Sequence, residues 1–150
     1  MRTVTWVVFV ALAGCGSYGW DPGVRPVPAE GSSPEFAAKV DAAVQLWQTA
    51  LGCSDVFSGA TGTGFIYERS PSEFAAEGFG PTVSGNTWSD KVWINGLRPD
   101  MEEEILVHEL GHVLGLEHVA PVEDPSSVMH PIDDGIVIPD LADVERVGCR

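Results

Sequence analysis

Phe36, Val40, Val44, Trp47 and Leu51 recur at intervals of three and four residues, with polar residues and alanines between them. That spacing places them on one face of a helix, and the stripe is expected to be core. Ser33-Pro34-Glu35 supplies the start signals: Ser as N-cap, Pro at the first helical position and an acid in the first turn. Gly52 stops the run. Val56-Phe57 and Phe65-Ile66-Tyr67 are short apolar pieces set between Gly and Thr, and they predict strands. The stretch from Ser70 to Asn86 is rich in Gly, Pro and Ser and reads as a long surface loop. Thr87 to Asn95 alternates, with Trp88, Val92 and Ile94 among polar residues, and Lys91 to Asn95 is expected as a strand. A second helix is expected from Asp100, with Glu103 three residues on as in a capping box. Glu102 and Glu104 add negative charge near its positive end. Ile105, Leu106, Leu110, Val113 and Leu114 form its buried side, and Gly115 ends it. Val119 to Pro139 reads as loop, and a short last helix from about Asp140 to Val147 turns Leu141, Val144 and Val147 inward. Upstream, Gly16 to Ser33 holds many Gly and Pro without periodicity and reads as a tether.

Composition changes this picture little. A chain of 150 residues points to one domain. Hydrophobic residues make up 44% and mean hydropathy is +0.07, which fits neither a disordered chain nor a polytopic membrane protein. The formal net charge of −14 would repel nucleic acid, so nucleic-acid binding is excluded as a function class. The acidity otherwise reads as a solvated surface.

The N-terminus reads as a targeting segment. Arg2 precedes an apolar run from Val4 to Ala13, and a run of about 10 residues is too short to span a bilayer but suits a signal peptide. Leu12-Ala13-Gly14-Cys15 resembles the bacterial lipobox, which implies that Cys15 is acylated and becomes the first mature residue. The expected organisation is a signal peptide at 1–14, a lipid-attached tether at 15–33 and a folded domain at 34–150. The protein is then expected in the bacterial cell envelope as an outer-membrane lipoprotein, or secreted if Cys15 carries no lipid. With Cys15 acylated, Cys53 and Cys149 remain, and an oxidising compartment admits one bridge between them.

The decisive stretch is His108-Glu109-Leu110-Gly111-His112-Val113-Leu114-Gly115-Leu116-Glu117-His118. Positions four apart share a helix face, so His108 and His112 present their imidazoles side by side, at a spacing that suits one tetrahedral Zn²⁺. Gly115 lets the chain leave the helix, and His118 can return as a third ligand. Three protein ligands leave one position for water, the mark of a catalytic rather than a structural zinc site. Glu109 can reach that water without being a ligand, as a general base. The motif uses three of the four histidines in the chain.

This stretch resembles the signature of the metzincin clan of zinc metalloproteases. The clan also has a downstream methionine turn beneath the metal, and Ser127-Val128-Met129-His130-Pro131 resembles it, with Met129 as the turn methionine. Within the clan the matrixins are the nearest likeness. Their zinc helix is close to residues 108–118, their turn to Met129-x-Pro131 and their C-terminal helix to Ile138–Gly148, and Trp47 fits as well. Astacins spell the turn Ser-Val-Met-His, but follow it with a tyrosine where this chain has Pro131. The resemblance implies an α+β fold: a small twisted mixed sheet, a backing helix, a zinc-binding active-site helix, a Met-turn and a C-terminal helix. The first strand of such a sheet would have to lie in the Pro-rich stretch Val24 to Ala29. No Pro-Arg-Cys-Gly latency motif precedes the domain, and His130 alone is too little for a second histidine-bound zinc. Calcium through Asp and Glu stays open, although no loop stands out for it.

The implied function is a monomeric zinc endopeptidase with one catalytic Zn²⁺, acting on protein or peptide substrates through a metal-activated water and held to the membrane by an N-terminal lipid. By analogy with the clan, a substrate strand is expected to pair with Lys91–Asn95 as an edge strand. The rival readings are a zinc-binding surface lipoprotein that does not cleave, and a lipoprotein whose task is docking a partner.

Overall fold

The computed structural model describes residues 20, 23–80, 83–88, 91–96, 99–120, 122–131 and 135–147. The expected signal segment 1–14, Cys15 and Cys149 lie outside the described residues. The elements in chain order are β1 (Val24–Pro28), α1 (Pro34–Leu51), a 3₁₀ turn (Ser54–Phe57), β2 (Gly62–Arg69), α2 (Pro71–Ala76), β3 (Gly85–Trp88), β4 (Lys91–Asn95), α3 (Glu102–Val113) and α4 (Leu141–Val147). The fold is α+β, with a four-stranded mixed sheet in the order β1-β2-β4-β3. β1, β2 and β4 run parallel, and β3 runs antiparallel to β4.

Helix α1 forms as its pattern predicts. The Phe36 amide donates to Ser33 Oγ at 3.0 Å, Pro34 stands at the first position, and Gly52 closes the helix at φ 65°, a left-handed conformation that glycine adopts without strain. Phe36, Val40, Ala43, Trp47 and Leu51 are buried, while Val44 packs against the core from a half-buried position. Ile66, Val92 and Ile94 on the inner face of the sheet join the same cluster as Trp47, Leu106 and Leu110. α3 therefore lies between α1 and the sheet's β3–β4 side. Two contacts fix α1 against it: the Trp47 indole N–H donates to Val107 O at 2.8 Å, and Lys39 Nζ meets buried Glu102 at 2.5 Å.

Several expectations need correction. Residues 16–33 are not all tether. Val24–Pro28 is a strand, and Trp20 is buried, with its amide donating to Val113 O at 2.9 Å and its ring against Gly64. Pro26 and Pro28 suggest a linker, but β1 is a terminal strand, where proline's missing N–H is tolerated. Lys91–Asn95 is a strand but not an edge strand: β2 flanks it on one side and β3 on the other, so Gly85–Trp88 is terminal. Val56-Phe57 belongs to a 3₁₀ turn rather than a strand. Within the expected loop 70–86, α2 forms on a complete capping box between Ser70 and Glu73 with Pro71 in its first turn. α3 begins at Glu102 rather than Asp100, with Met101 at the N-cap position. In α4, Leu141 is 71% exposed, and Asp143 is the buried residue.

Candidate metal centre

α3 carries His108 and His112 on one face, with His112 buried and His108 half-buried. After Val113 the helix ends, Gly115 takes φ +89°, and the Leu116 amide donates back to Gly111 O at 3.0 Å. A side chain at this φ is strained, so glycine suits the reversal. The chain then doubles back and delivers His118. Its Nε2 lies 3.1 Å from His108 Nε2 and 3.2 Å from His112 Nε2. The three residues predicted as ligands therefore converge on one point.

Their outer nitrogens decide what that point can hold. His108 Nδ1 lies 2.8 Å from Val128 O, and His112 Nδ1 lies 2.8 Å from Leu116 O. A carbonyl only accepts, so each Nδ1 carries the proton and each neutral ring turns a bare Nε2 lone pair inward. Burial pushes His108 down to about 3, with His112 and His118 adding to the effect, and pushes His118 down to about 4, aided by His112. Burial lowers His112 as well. The rings thus stay neutral at pH 7. His118 can donate at most one proton, to one of its two neighbours, so lone pairs are left facing each other. A cation at the centre removes that repulsion. Zn–N bonds of about 2.0–2.1 Å at tetrahedral angles hold donors about 3.3 Å apart, close to the observed separations. The backbone carbonyls behind His108 and His112 are the outer partners such ligands commonly have.

Met129, the expected turn methionine, is fully buried and lies against Gly111 of α3. A Cβ on Gly111 would stand 2.2 Å from Met129 Sδ and 3.2 Å from Trp47 Cζ2, so only glycine lets the sulfur lie against the helix there. The Val119 amide, next to His118, donates to Met129 O at 3.0 Å. The turn itself is held from α4. Buried Asp143 accepts Ser127 Oγ at 2.6 Å and the Val128 amide at 3.0 Å, and it pairs with Arg146. The same Val128 offers its carbonyl to His108, so a short chain of bonds links α4 to a ligand.

Glu109 is buried, with its carboxylate against β3. Thr87 Oγ1 donates to Glu109 Oε2 at 2.6 Å. Asp124, Asp140 and Asp143 form a second group of neighbouring acids. Arg146 supplies its positive charge, at 3.7 Å from Asp124 and in contact with Asp143, while Ser126 and Ser127 hydroxyls occupy Asp140 and Asp143. That network gives the calcium expectation no support. The fourth histidine, His130, bonds through Nε2 to Asp124 O at 2.6 Å. Cys53, beyond the end of α1, is disulfide-bonded, and its expected partner Cys149 lies outside the described residues.

Sequence reasoning named the histidines, Glu109 and Met129, but missed Asp143, Thr87 and Gly85. An acid in a short amphipathic helix carries no signal of burial, and neither does a Gly-x-Thr in a strand. No protein-family model matches the chain, and no curated protein matches it either.

Proposed function

We propose that the chain is a zinc-dependent endopeptidase of the metzincin type, closest to the matrixins. The observation that carries this reading is the meeting of three histidines, with His118 Nε2 at 3.1 and 3.2 Å from the other two Nε2 atoms and two of the rings fixed in the required tautomer by backbone carbonyls. His108, His112 and His118 would hold the ion. Bound there, zinc supplies a Lewis acid for the substrate carbonyl and lowers the pKa of a water toward about 7. Glu109 takes the proton of that water and returns one to the leaving amine. β3 is the terminal strand of the sheet on the Glu109 side, so an extended peptide adding to it would run beside the base. The proposal includes export and anchoring through a lipid on Cys15. No helix among the described residues is long and apolar enough to cross a membrane.

The test joins metal analysis to cleavage of casein or a peptide library. Purified protein should carry about one zinc per chain, as a single three-histidine site requires. Glu109→Ala should keep the metal and lose cleavage by about 10²–10⁴-fold. Zinc binding without cleavage by the unaltered protein would favour the non-catalytic reading, and near-normal activity in Glu109→Ala would remove Glu109 as the base.

A further inference from the structure

Strand β3 does more than close the sheet. Its register pairs Gly85 with Ile94 and Thr87 with Val92, so both residues face the inner side that Ile94 and Val92 share with the core. Thr87 is 2% exposed. Its hydroxyl lies 2.6 Å from Glu109 Oε2 and 3.2 Å from Glu109 O. A hydroxyl has one proton, and the shorter contact, to the carboxylate oxygen, takes it. On the same face a Cβ at Gly85 would stand 2.5 Å from Glu109 Oε1, 2.8 Å from Cγ and 2.9 Å from Cδ. The carboxylate is therefore bounded by backbone at Gly85 and held by a side chain at Thr87, both supplied by an element other than its own helix.

We propose that Thr87 is a positioning residue for Glu109, and that Gly85 is glycine because the carboxylate occupies the volume a side chain would need. The catalytic meaning of this rests on the reading of Glu109 as the base. A glutamate has three side-chain torsions, and unrestrained it samples several rotamers. A base must be held where the proton is. The Thr87 hydroxyl selects one carboxylate orientation from the strand side, and the absent Cβ at Gly85 leaves room for it. An extended peptide added to β3 would then be aligned by the same strand that aligns the base.

The experiment is a double-mutant cycle on the full chain. Thr87→Val removes the hydroxyl and keeps the shape, whereas Thr87→Ser keeps the hydroxyl. Each is made with Glu109 present and in the Glu109→Ala background. In the metal-free protein, Thr87→Val should lower Tm by roughly 3–6 °C with Glu109 present, as expected when a buried charged group loses a hydrogen bond, and by much less in Glu109→Ala. In the zinc-loaded protein, Thr87→Val should lower kcat by about tenfold with KM and zinc content unchanged, and Thr87→Ser should restore it. Gly85→Ala should lower kcat further, again with zinc retained. Equal losses of Tm in both Glu109 backgrounds would overturn the proposal, as would a Thr87→Ser variant no better than Thr87→Val. Absence of cleavage by the unaltered protein would remove the peptidase reading, and the melting cycle would still decide whether Thr87 holds Glu109.

Discussion

The three-histidine cluster, the candidate metal centre, is built from two unlike halves. His108 and His112 stand one turn apart on α3, and ordinary helical hydrogen bonding places them side by side. His118 stands on irregular chain, and its position depends on bonds that reach far along the sequence. Leu116 returns to Gly111, Val119 bonds to Met129, and Ser127 and Val128 are held by Asp143 of α4. The helical half takes its spacing from its own segment, although the His108 ring is oriented by the Val128 carbonyl of the turn. The looped half needs a buried carboxylate from another helix and a methionine fitted against a glycine.

The largest expected effect comes from the helical half. His112→Ala leaves two imidazoles, and the protein should no longer retain zinc through gel filtration, since three protein ligands are the norm for such sites. A full equivalent in that variant would place the metal elsewhere.

Asp143→Ala attacks the looped half without touching a ligand. It strips the acceptor from Ser127 Oγ and the Val128 amide, both buried. Stability of the metal-free protein should fall by about 2–4 kcal/mol in urea titration, the range expected for orphaned buried donors. Zinc affinity should fall about 10–100-fold, as for a lost outer partner of a ligand. Leu141→Gln, two residues away on the exposed side of α4, should change stability by no more than about 0.5 kcal/mol. If both variants behave alike, α4 does not support the centre.

Gly111→Ala probes the seam between the halves. The added methyl overlaps Met129 Sδ and presses on Trp47, and overpacking of this kind costs about 1–3 kcal/mol. Met129→Ala in the same chain should recover part of that loss, and thermal melting of the two variants tests this.

Acidification sharpens the comparison by the smallest step. Histidines held neutral by burial are protonated in the unfolded chain at about 6.5 but resist protonation when folded. Above that pH they make no difference. As pH falls below it, the unfolded state gains protons that the folded state does not, so metal-free stability declines. The decline should continue toward about 4, where His118 takes its proton, and about 3 for His108. The looped ligand should therefore titrate before this helical one in histidine NMR spectra. The reverse order would mean that His118 is the better buried of the two.

What could be read in the sequence followed the same division. Local patterns were legible: the Ser33 cap and apolar stripe of α1, the paired histidines of α3, and the glycine that releases the chain toward His118. The capping box at Ser70 was as plain as the N-cap at Ser33, but the surrounding Gly and Pro outweighed it. Features set by tertiary neighbours were not legible. From its own residues β1 reads as linker, because whether Pro26 is tolerable depends on being a terminal strand; only the family resemblance pointed to a strand within Val24 to Ala29, where β1 lies. Leu141 is expected inward but is exposed, and the buried place of Asp143 goes unread, because the apolar pattern assumes that carboxylates face water. The place of β3 at the edge, and hence beside Glu109, also depended on strand order rather than on its own residues.

The link from Asp143 through Val128 to His108 also sets a schedule. During synthesis the helix bearing His108 and His112 emerges before α4, and Asp143 follows His118 by 25 residues. On the proposed function, a nascent chain without α4 would lack the acceptor for Ser127 and Val128 and would bind metal weakly. Under the proposed function, metal capture is timed to the arrival of α4, so that a chain still being made or still being exported holds no competent active site.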